Sequence, residues 1–187
     1  KVGAATVDMK QIQTHPTVVP GNGEMITEAV RGNGAILVNH EGKRFYNELE
    51  TRDNVSAAIL KQTDKNAFLF FDSDMQKSLK ATNNYIKQKY CLNGATLDEV
   101  AGKMKVPAAA LKQTMTEYAA AVAAKNDKQF GRADLPRPLN KAPFYAIIVT
   151  PAVHHCMGGI KIDTKTQVYG QNGQIIPGLF AAGEVTG

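Results

Sequence analysis

The segment PAVHHCMGGI (151–160) sets His154, His155 and Cys156 side by side, just before Gly158 and Gly159. Such a cluster can mark a metal site, a cysteine nucleophile, or neither. Zinc ligands drawn from one short segment normally need helical i,i+4 spacing or paired CxxC hooks, and this segment has neither. Adjacent residues of a strand point to opposite faces, so His154 and His155 do not face one site in a regular strand. A nucleophilic Cys156 needs a positioned base and an oxyanion hole, and a strand directs His155 away from it. Satisfied polar groups at a strand end are the plain alternative.

Three other stretches carry chemistry-bearing residues. QTHPT puts His15 beside a proline-ordered bend. ITEAVRG spaces Glu28 and Arg31 three apart, on one face of a helical turn. ETRD places Arg52 between Thr51 and Asp53, just ahead of a helical pattern. Taken alone, Glu28 and Arg31 read as a surface ion pair of little energetic weight.

Several elements must position these residues. Residues 1–20 read as strand or loop ending in the Pro/Gly-rich THPTVVPGNG. MITEAVRGNG (25–34) reads as a short helical turn, with Thr27 as its N-cap and Gly32 or Gly34 as its stop. AILVNHEGKRFYNE (35–48) predicts a hairpin turning at 39–42. RDNVSAAILKQ (52–62) has helical spacing, AFLFFD (67–72) reads as a short buried strand, and 73–89 as one polar helix. TLDEVAGKM opens with a capping box, Thr96 and Glu99, and VPAAALKQTMTEYAAAVAAKND (106–127) is the strongest helical pattern. Residues 144–155 predict a strand interrupted at Pro151. A hairpin turning at Asn172-Gly173 follows, and PGLFAAGEVTG reads as a strand running into a Gly-rich turn. Strands and helices mix without regular βαβ alternation, which argues for an α+β fold.

The composition narrows the function classes. With 43% hydrophobic and 21% charged residues the chain is an ordinary globular one, and no apolar run approaches the roughly 20 residues of a membrane span. The net charge of +5 comes from scattered lysines rather than a dense basic run, so no nucleic-acid footprint is expected. The excess suits steering of an anionic small substrate. Two cysteines, Cys91 and Cys156, imply no disulfide framework, structural zinc cluster or CxxCH haem attachment within this stretch. The polar opening KVGAATVDMKQ has no signal-peptide pattern, and the end at Gly187, inside a Gly-rich turn, reads as that of a fragment.

Taken in order, HPTVVPGNGEMITEAVRGNGAILVNHEGKRFYNELETRD, TLDEVA…VPAAALKQTMTEYAAAV, PFYAIIVTPAVHHCMGGIKIDT and PGLFAAGEVTG resemble one family. It is the flavoprotein subunit family of fumarate reductases and succinate dehydrogenases, and the likeness is nearest to soluble periplasmic flavocytochrome c fumarate reductases. It covers essentially the whole chain. The resemblance implies a clamp (capping) domain over 1–155 and a partial returning segment of the FAD-binding domain over 156–187. No GxGxxG opens the chain, and the family's second substrate-binding arginine follows the AAGE turn, beyond Gly187. The tail, lacking its usual sheet, is expected to be poorly ordered, to pair with another copy, or to fold back on the clamp.

The resemblance also implies the chemistry, reduction of a C=C bond between two carboxylates. Hydride comes from FAD, which is not expected on the fragment alone, and a proton from the protein. Arg52 matches the proton donor. A guanidinium is an unusual acid, with an intrinsic pKa above about 12, but it is always protonated and stabilises a developing carbanion. Glu28 and Arg31 match the relay that reprotonates it. His15, Thr27 and Glu28 match one substrate-carboxylate site, with Met25 as an apolar wall, and His155 matches the other. Gly158 and Gly159 match a close approach to the flavin and Glu184 an FAD contact; no metal is implied. Fumarate and succinate are the implied substrate and product, with an electron-donor cytochrome, or haem c on a separate domain, as partner, in anaerobic electron transport in the periplasm. Urocanate-type reduction, succinate oxidation and a non-catalytic clamp-like binding module are the alternatives.

Overall fold

The computed structural model describes residues 2–187. In chain order its strands and helices are β1 (Thr6–Val7), β2 (Ile12–Val18), α1 (Ala29–Gly32), β3 (Ile36–Val38), α2 (Arg52–Leu60), β4 (Ala67–Asp72), α3 (Ser73–Ser78) and α4 (Ala81–Lys87). Then come β5 (Cys91–Gly94), α5 (Leu97–Met104), α6 (Ala108–Ala124), β6 (Phe144–Cys156), β7 (Gly159–Ile160), β8 (Gln167–Tyr169) and β9 (Ile175–Phe180). Short 3-10 turns occupy Thr63–Lys65 and Gly183–Thr186. The fold thus mixes helices and strands, as expected.

Two compact units divide the chain: His15–Ala152, and Lys1–Thr14 with Val153–Gly187. The larger unit is built on a sheet in the order β2-β6-β4-β3, with β5 also paired to β6. β4 pairs antiparallel with β3 on one side (Leu37↔Leu69) and with β6 on the other (Leu69↔Ile147). All six residues of β4 are buried, so it shows no alternation. A strand covered on both faces has no water-facing side to hold polar residues. Phe70 stacks on Phe144 with centroids 6.0 Å apart, and Phe71 on Tyr145 at 5.3 Å. Helices α2, α5 and α6 bring Val55 and Ile59, Val100 and Met104, and Leu111, Met115 and Tyr118 into the same core.

Local signals set several boundaries. Thr96 Oγ1 accepts from Glu99 N at 3.2 Å, the forward half of the predicted capping box at the head of α5, while Glu99 Oε2 accepts from Ala95 N at 2.8 Å, one residue before the N-cap. The single helix expected over 73–89 is two. Leu79 is extended (φ −135°, ψ 106°), and Thr82 Oγ1 donates to the carbonyls of Gln76 and Leu79, which would otherwise continue the ladder. The hairpin expected over 35–48 has only its first arm. After the turn, one bridge joins Val38 and Arg44, and Leu37 N–H finds Glu48 Oε1 at 3.2 Å instead of a second strand. Thr27 does not cap α1. Glu28 occupies that position, Thr27 N–H donates to Tyr85 Oη at 3.1 Å, and the Thr27 hydroxyl reaches only Ala29 N, at 3.5 Å. Nor does Pro151 interrupt β6: the β4 ladder ends at Val149, so β4 asks no N–H of the proline.

In the smaller unit β1 pairs antiparallel with β7 (Thr6↔Ile160), and β8 with β9 around a turn in which Gly170 N donates to Gln174 O at 2.7 Å. Ala5 N donates to Tyr169 O at 2.7 Å and Gln171 N to Gly3 O at 2.8 Å. These bonds tie the N-terminal stretch to the tail in one unit. Residues up to Thr14 group with the tail because their backbone groups pair with it. The tail accordingly has partners within its own chain, in the N-terminal stretch.

Candidate active site

In the larger unit the loop after β2 doubles back along it. Ile26 N donates to Thr17 O at 2.8 Å, Thr17 Oγ1 donates to Ile26 O at 2.9 Å, and Val18 bridges Met25. Residues 25–28 therefore lie beside the His15 end of β2. His15 is buried, and its Nδ1 faces Thr17 N at 3.4 Å. Met25 is 43% exposed. Thr27 is partly buried, with its N–H held by Tyr85 Oη.

Glu28 joins this stretch to two arginines. Arg52, the first residue of α2, donates from Nε to Glu28 Oε2 at 2.9 Å, and its Nη2 stands 2.8 Å from the same oxygen. Arg31, on α1, places Nη2 at 3.8 Å from Glu28 Oε1. The Arg31 side chain is buried, whereas that of Glu28 is 49% exposed. The Arg52 hydrogen bond, assisted by the charges of Arg31, Arg52 and His15, holds the Glu28 carboxyl below its usual range against the opposing effect of burial. Burial pushes the Arg31 guanidinium below the ordinary arginine value, while the Glu28 charge works the other way. The result is a guanidinium, an ionised carboxylate and a second, buried guanidinium in succession. Such an array can hold a proton donor in its charged form and lead from the surface inward.

Behind Arg31 lies a buried ionic cluster. Arg31 Nη1 donates to Glu48 O at 2.5 Å. Arg44 grips the Glu48 carboxylate through Nε (2.9 Å) and Nη2 (2.8 Å), and reaches Asp127 Oδ2 at 2.9 Å. Arg132 Nη1 reaches Glu48 Oε2 at 3.2 Å. Tyr118 lies beneath both Arg44 and Arg132. Burial works against the charge on Arg44, but the two carboxylates outweigh it and raise its pKa.

The smaller unit holds the other expected residues. His154 Nδ1 meets Gln13 Oε1 at 2.8 Å, and Cys156 Sγ donates to Met9 O at 3.4 Å. His155 Nδ1 lies 3.0 Å from Cys156 O and 3.8 Å from Glu184 Oε1. The rings of His154 and His155 meet edge to face, 4.9 Å apart. Gly158 and Gly159 are required by the protein's own backbone. A Cβ on Gly158 would lie 2.3 Å from Asp8 C, and one on Gly159 2.3 Å from Val185 O. Gly159 thus seats the 3-10 turn that carries Glu184, whose side chain is 85% exposed. Among the described residues, no group of three or more His, Cys, Asp or Glu is arranged to hold a metal ion, and no helix is long and apolar enough to cross a membrane.

The model of the FAD binding domain family matches residues 1–187. The chain belongs to the FAD binding domain family. It is 52% identical over 186 residues to "Fumarate reductase (cytochrome)" of Shewanella frigidimarina, which covers 99% of this chain and 32% of that protein. It is 44% identical to the "NADH:fumarate oxidoreductase" of Klebsiella pneumoniae (strain 342), over 100% of this chain and 20% of that one. The open conformation of a flavocytochrome c3 fumarate reductase superposes with a TM-score of 0.80 at 42% identity, over 99% of this chain and 33% of that one. The chain thus spans a third or less of the length of these FAD binding domain relatives.

Arg44, Glu48, Asp127 and Arg132 were not among the residues singled out from sequence. Arg44 and Glu48 are four apart, a spacing that signals pairing only in a helix, and here they flank an irregular turn. Asp127 is the last residue of the helical pattern 106–127, and Arg132 lies beyond it, where no pattern singles it out.

Proposed function

We propose that this chain is the substrate-facing part of an FAD-dependent reductase of unsaturated dicarboxylic acids, converting fumarate to succinate, with residues 1–155 as its clamp. The observation that carries the proposal is the succession Arg52, Glu28, Arg31, in which the outer arginine makes two close contacts with one carboxylate oxygen.

The residues present suit a flavin. Glu184 offers a carboxylate, the group that accepts from ribose or ribityl hydroxyls, on a turn that Gly159 seats against fixed backbone. FAD, when bound, supplies the hydride. Arg52, partly exposed, is the proton donor: its guanidinium attracts the negative charge that builds on the second alkene carbon, then yields a proton to it. Glu28, ionised at rest beside it, takes up a proton that comes from solvent by way of Arg31 and passes it to Arg52, becoming ionised again. Thr27 and buried His15 shape the end of the site nearest Glu28, with Met25 as its apolar wall, and His155 donates to a substrate carboxylate. The positive balance of the chain suits a dianionic substrate. A cytochrome or haem c domain as electron donor, and a periplasmic setting, follow from the same reading.

The test is turnover of the full-length flavoprotein with a reduced viologen dye, fumarate and urocanate side by side, together with Arg52→Ala. Fumarate turnover that disappears in Arg52→Ala while FAD stays bound supports the reading. Turnover that survives the substitution overturns the proton-donor assignment, and wild-type turnover of urocanate alone overturns the substrate.

A further inference from the structure

We propose that Glu48 is a positioning residue for the proton relay, its main-chain carbonyl and its carboxylate together holding Arg31 within reach of Glu28. The inference rests on the relay reading above. It starts from the way Arg31 is held. Nη1 donates to Glu48 O at 2.5 Å, whereas Nε and Nη2 are buried without a hydrogen-bond partner. Nη2 stands 3.8 Å from Glu28 Oε1, outside hydrogen-bond distance but well within the range of attraction. Buried guanidinium donors are ordinarily satisfied, so an unsatisfied pair facing a relay position calls for a reason.

Glu48 supplies one. Its carboxylate is fully buried and takes four donors: Arg44 Nε and Leu37 N on Oε1, Arg44 Nη2 and Arg132 Nη1 on Oε2. A side chain gripped from that many directions fixes its own main chain, and so the carbonyl on which Arg31 rests. Arg132 closes the circuit from the other side, donating through Nη2 to Arg31 O at 2.8 Å and through Nη1 to Ala35 O at 2.9 Å. The same carboxylate therefore steadies the Arg31 side chain through residue 48 and the Arg31 backbone through Arg132.

Charge completes the case. Three guanidiniums (Arg31, Arg44 and Arg132) and two carboxylates (Glu48 and Asp127) are buried together, which leaves one positive charge over. Arg44 pairs with both acids and Arg132 with Glu48, so the excess rests on Arg31, whose ion-pair partner is Glu28. The cluster keeps Arg31 within reach of Glu28, short of a hydrogen bond by geometry yet drawn to it by charge. A group that passes a proton and must then return benefits from that balance.

The test uses the flavin-loaded, full-length protein carrying Glu48→Gln, which keeps the shape and the main-chain carbonyl but removes the charge. A relay group contributes on the order of 10²–10⁴-fold to rate, so a misplaced one is expected to cut kcat about ten- to a hundredfold with KM nearly unchanged. The solvent deuterium isotope effect on kcat should rise, because proton resupply becomes limiting. Arg132→Lys, which keeps the charge, should show the same signature at smaller amplitude and serves if Glu48→Gln does not fold. A folded Glu48→Gln or Arg132→Lys protein with wild-type kcat and isotope effect, whatever its melting temperature, overturns the proposal. If Arg52→Ala still reduces fumarate, the relay reading itself fails; if Arg52→Ala is dead while Glu48→Gln behaves as wild type, only the positioning role fails.

Discussion

Arg52 turns the Nε–Nη2 edge of its guanidinium toward a single oxygen of Glu28, at 2.9 and 2.8 Å, across 24 residues of sequence. That leaves Oε1 to Arg31, at 3.8 Å. The carboxylate is thus divided between two arginines of different burial, one partly exposed and one enclosed.

A lysine keeps the charge of Arg52 but offers a point donor in place of a planar edge. Arg52→Lys should therefore lose turnover by roughly ten- to a hundredfold, less than Arg52→Ala, whose loss should fall nearer the 10²–10⁴-fold of a missing proton donor. Steady-state kcat of the two variants, each with FAD content checked, decides the order.

Glu28 should titrate below the ordinary carboxylate value of 4.5, because its charged form is held chiefly by the Arg52 hydrogen bond. A depressed folded-state pKa contributes stability that is present above the unfolded value and lost as pH falls through the folded one. The stability difference between wild type and Glu28→Gln should then be present at about pH 6 and shrink as pH falls below the ordinary carboxylate value. Because Glu28 is half exposed, salt should shrink it. Melting curves at several pH values test this; a difference that widens on acidification would reverse the assignment.

Two glycines should respond oppositely to alanine. Gly159→Ala drives a Cβ into Val185 O and should destabilise the protein by more than about 1 kcal/mol and displace the turn carrying Glu184. Gly102, exposed on α5 with open space around it, should gain about 0.5–1 kcal/mol as alanine. Denaturant midpoints measured side by side would expose an error in either sign.

Burial pushes the Cys91 thiol up to about 12. The thiolate is the reactive form, so Cys91 should resist iodoacetamide at pH 8 in the native protein and label only on unfolding. Peptide mapping reads the site directly, and rapid native labelling of Cys91 would contradict the burial.

In the core, Phe70 has no exposed surface and stacks on Phe144. Phe70→Ala should cost about 3–5 kcal/mol, the usual cost of an aromatic cavity, measured by urea unfolding.

The sequence by itself determined the elements whose signals are short-range. The apolar run 67–72 is β4 to the residue, Arg52 opens α2, Thr96 and Glu99 cap α5, and the alanine-rich stretch is α6. Period, capping and turn chemistry act within about four residues, so each can be read without knowing what the element packs against. The ordered motifs also marked Glu28, Arg31 and Arg52 as a set. Tertiary structure alone decided the rest. It broke the 73–89 helix at Leu79, replaced the second arm of the 35–48 hairpin by the Glu48 side chain, and gave Gly158 and Gly159 backbone neighbours at Asp8 and Val185. It also joined Glu48 to Arg132 across 84 residues. Those outcomes depend on which groups are left without water once the core closes. A buried charge or N–H takes whatever partner the packing brings within 3 Å or so, and no local pattern of residue types encodes that choice.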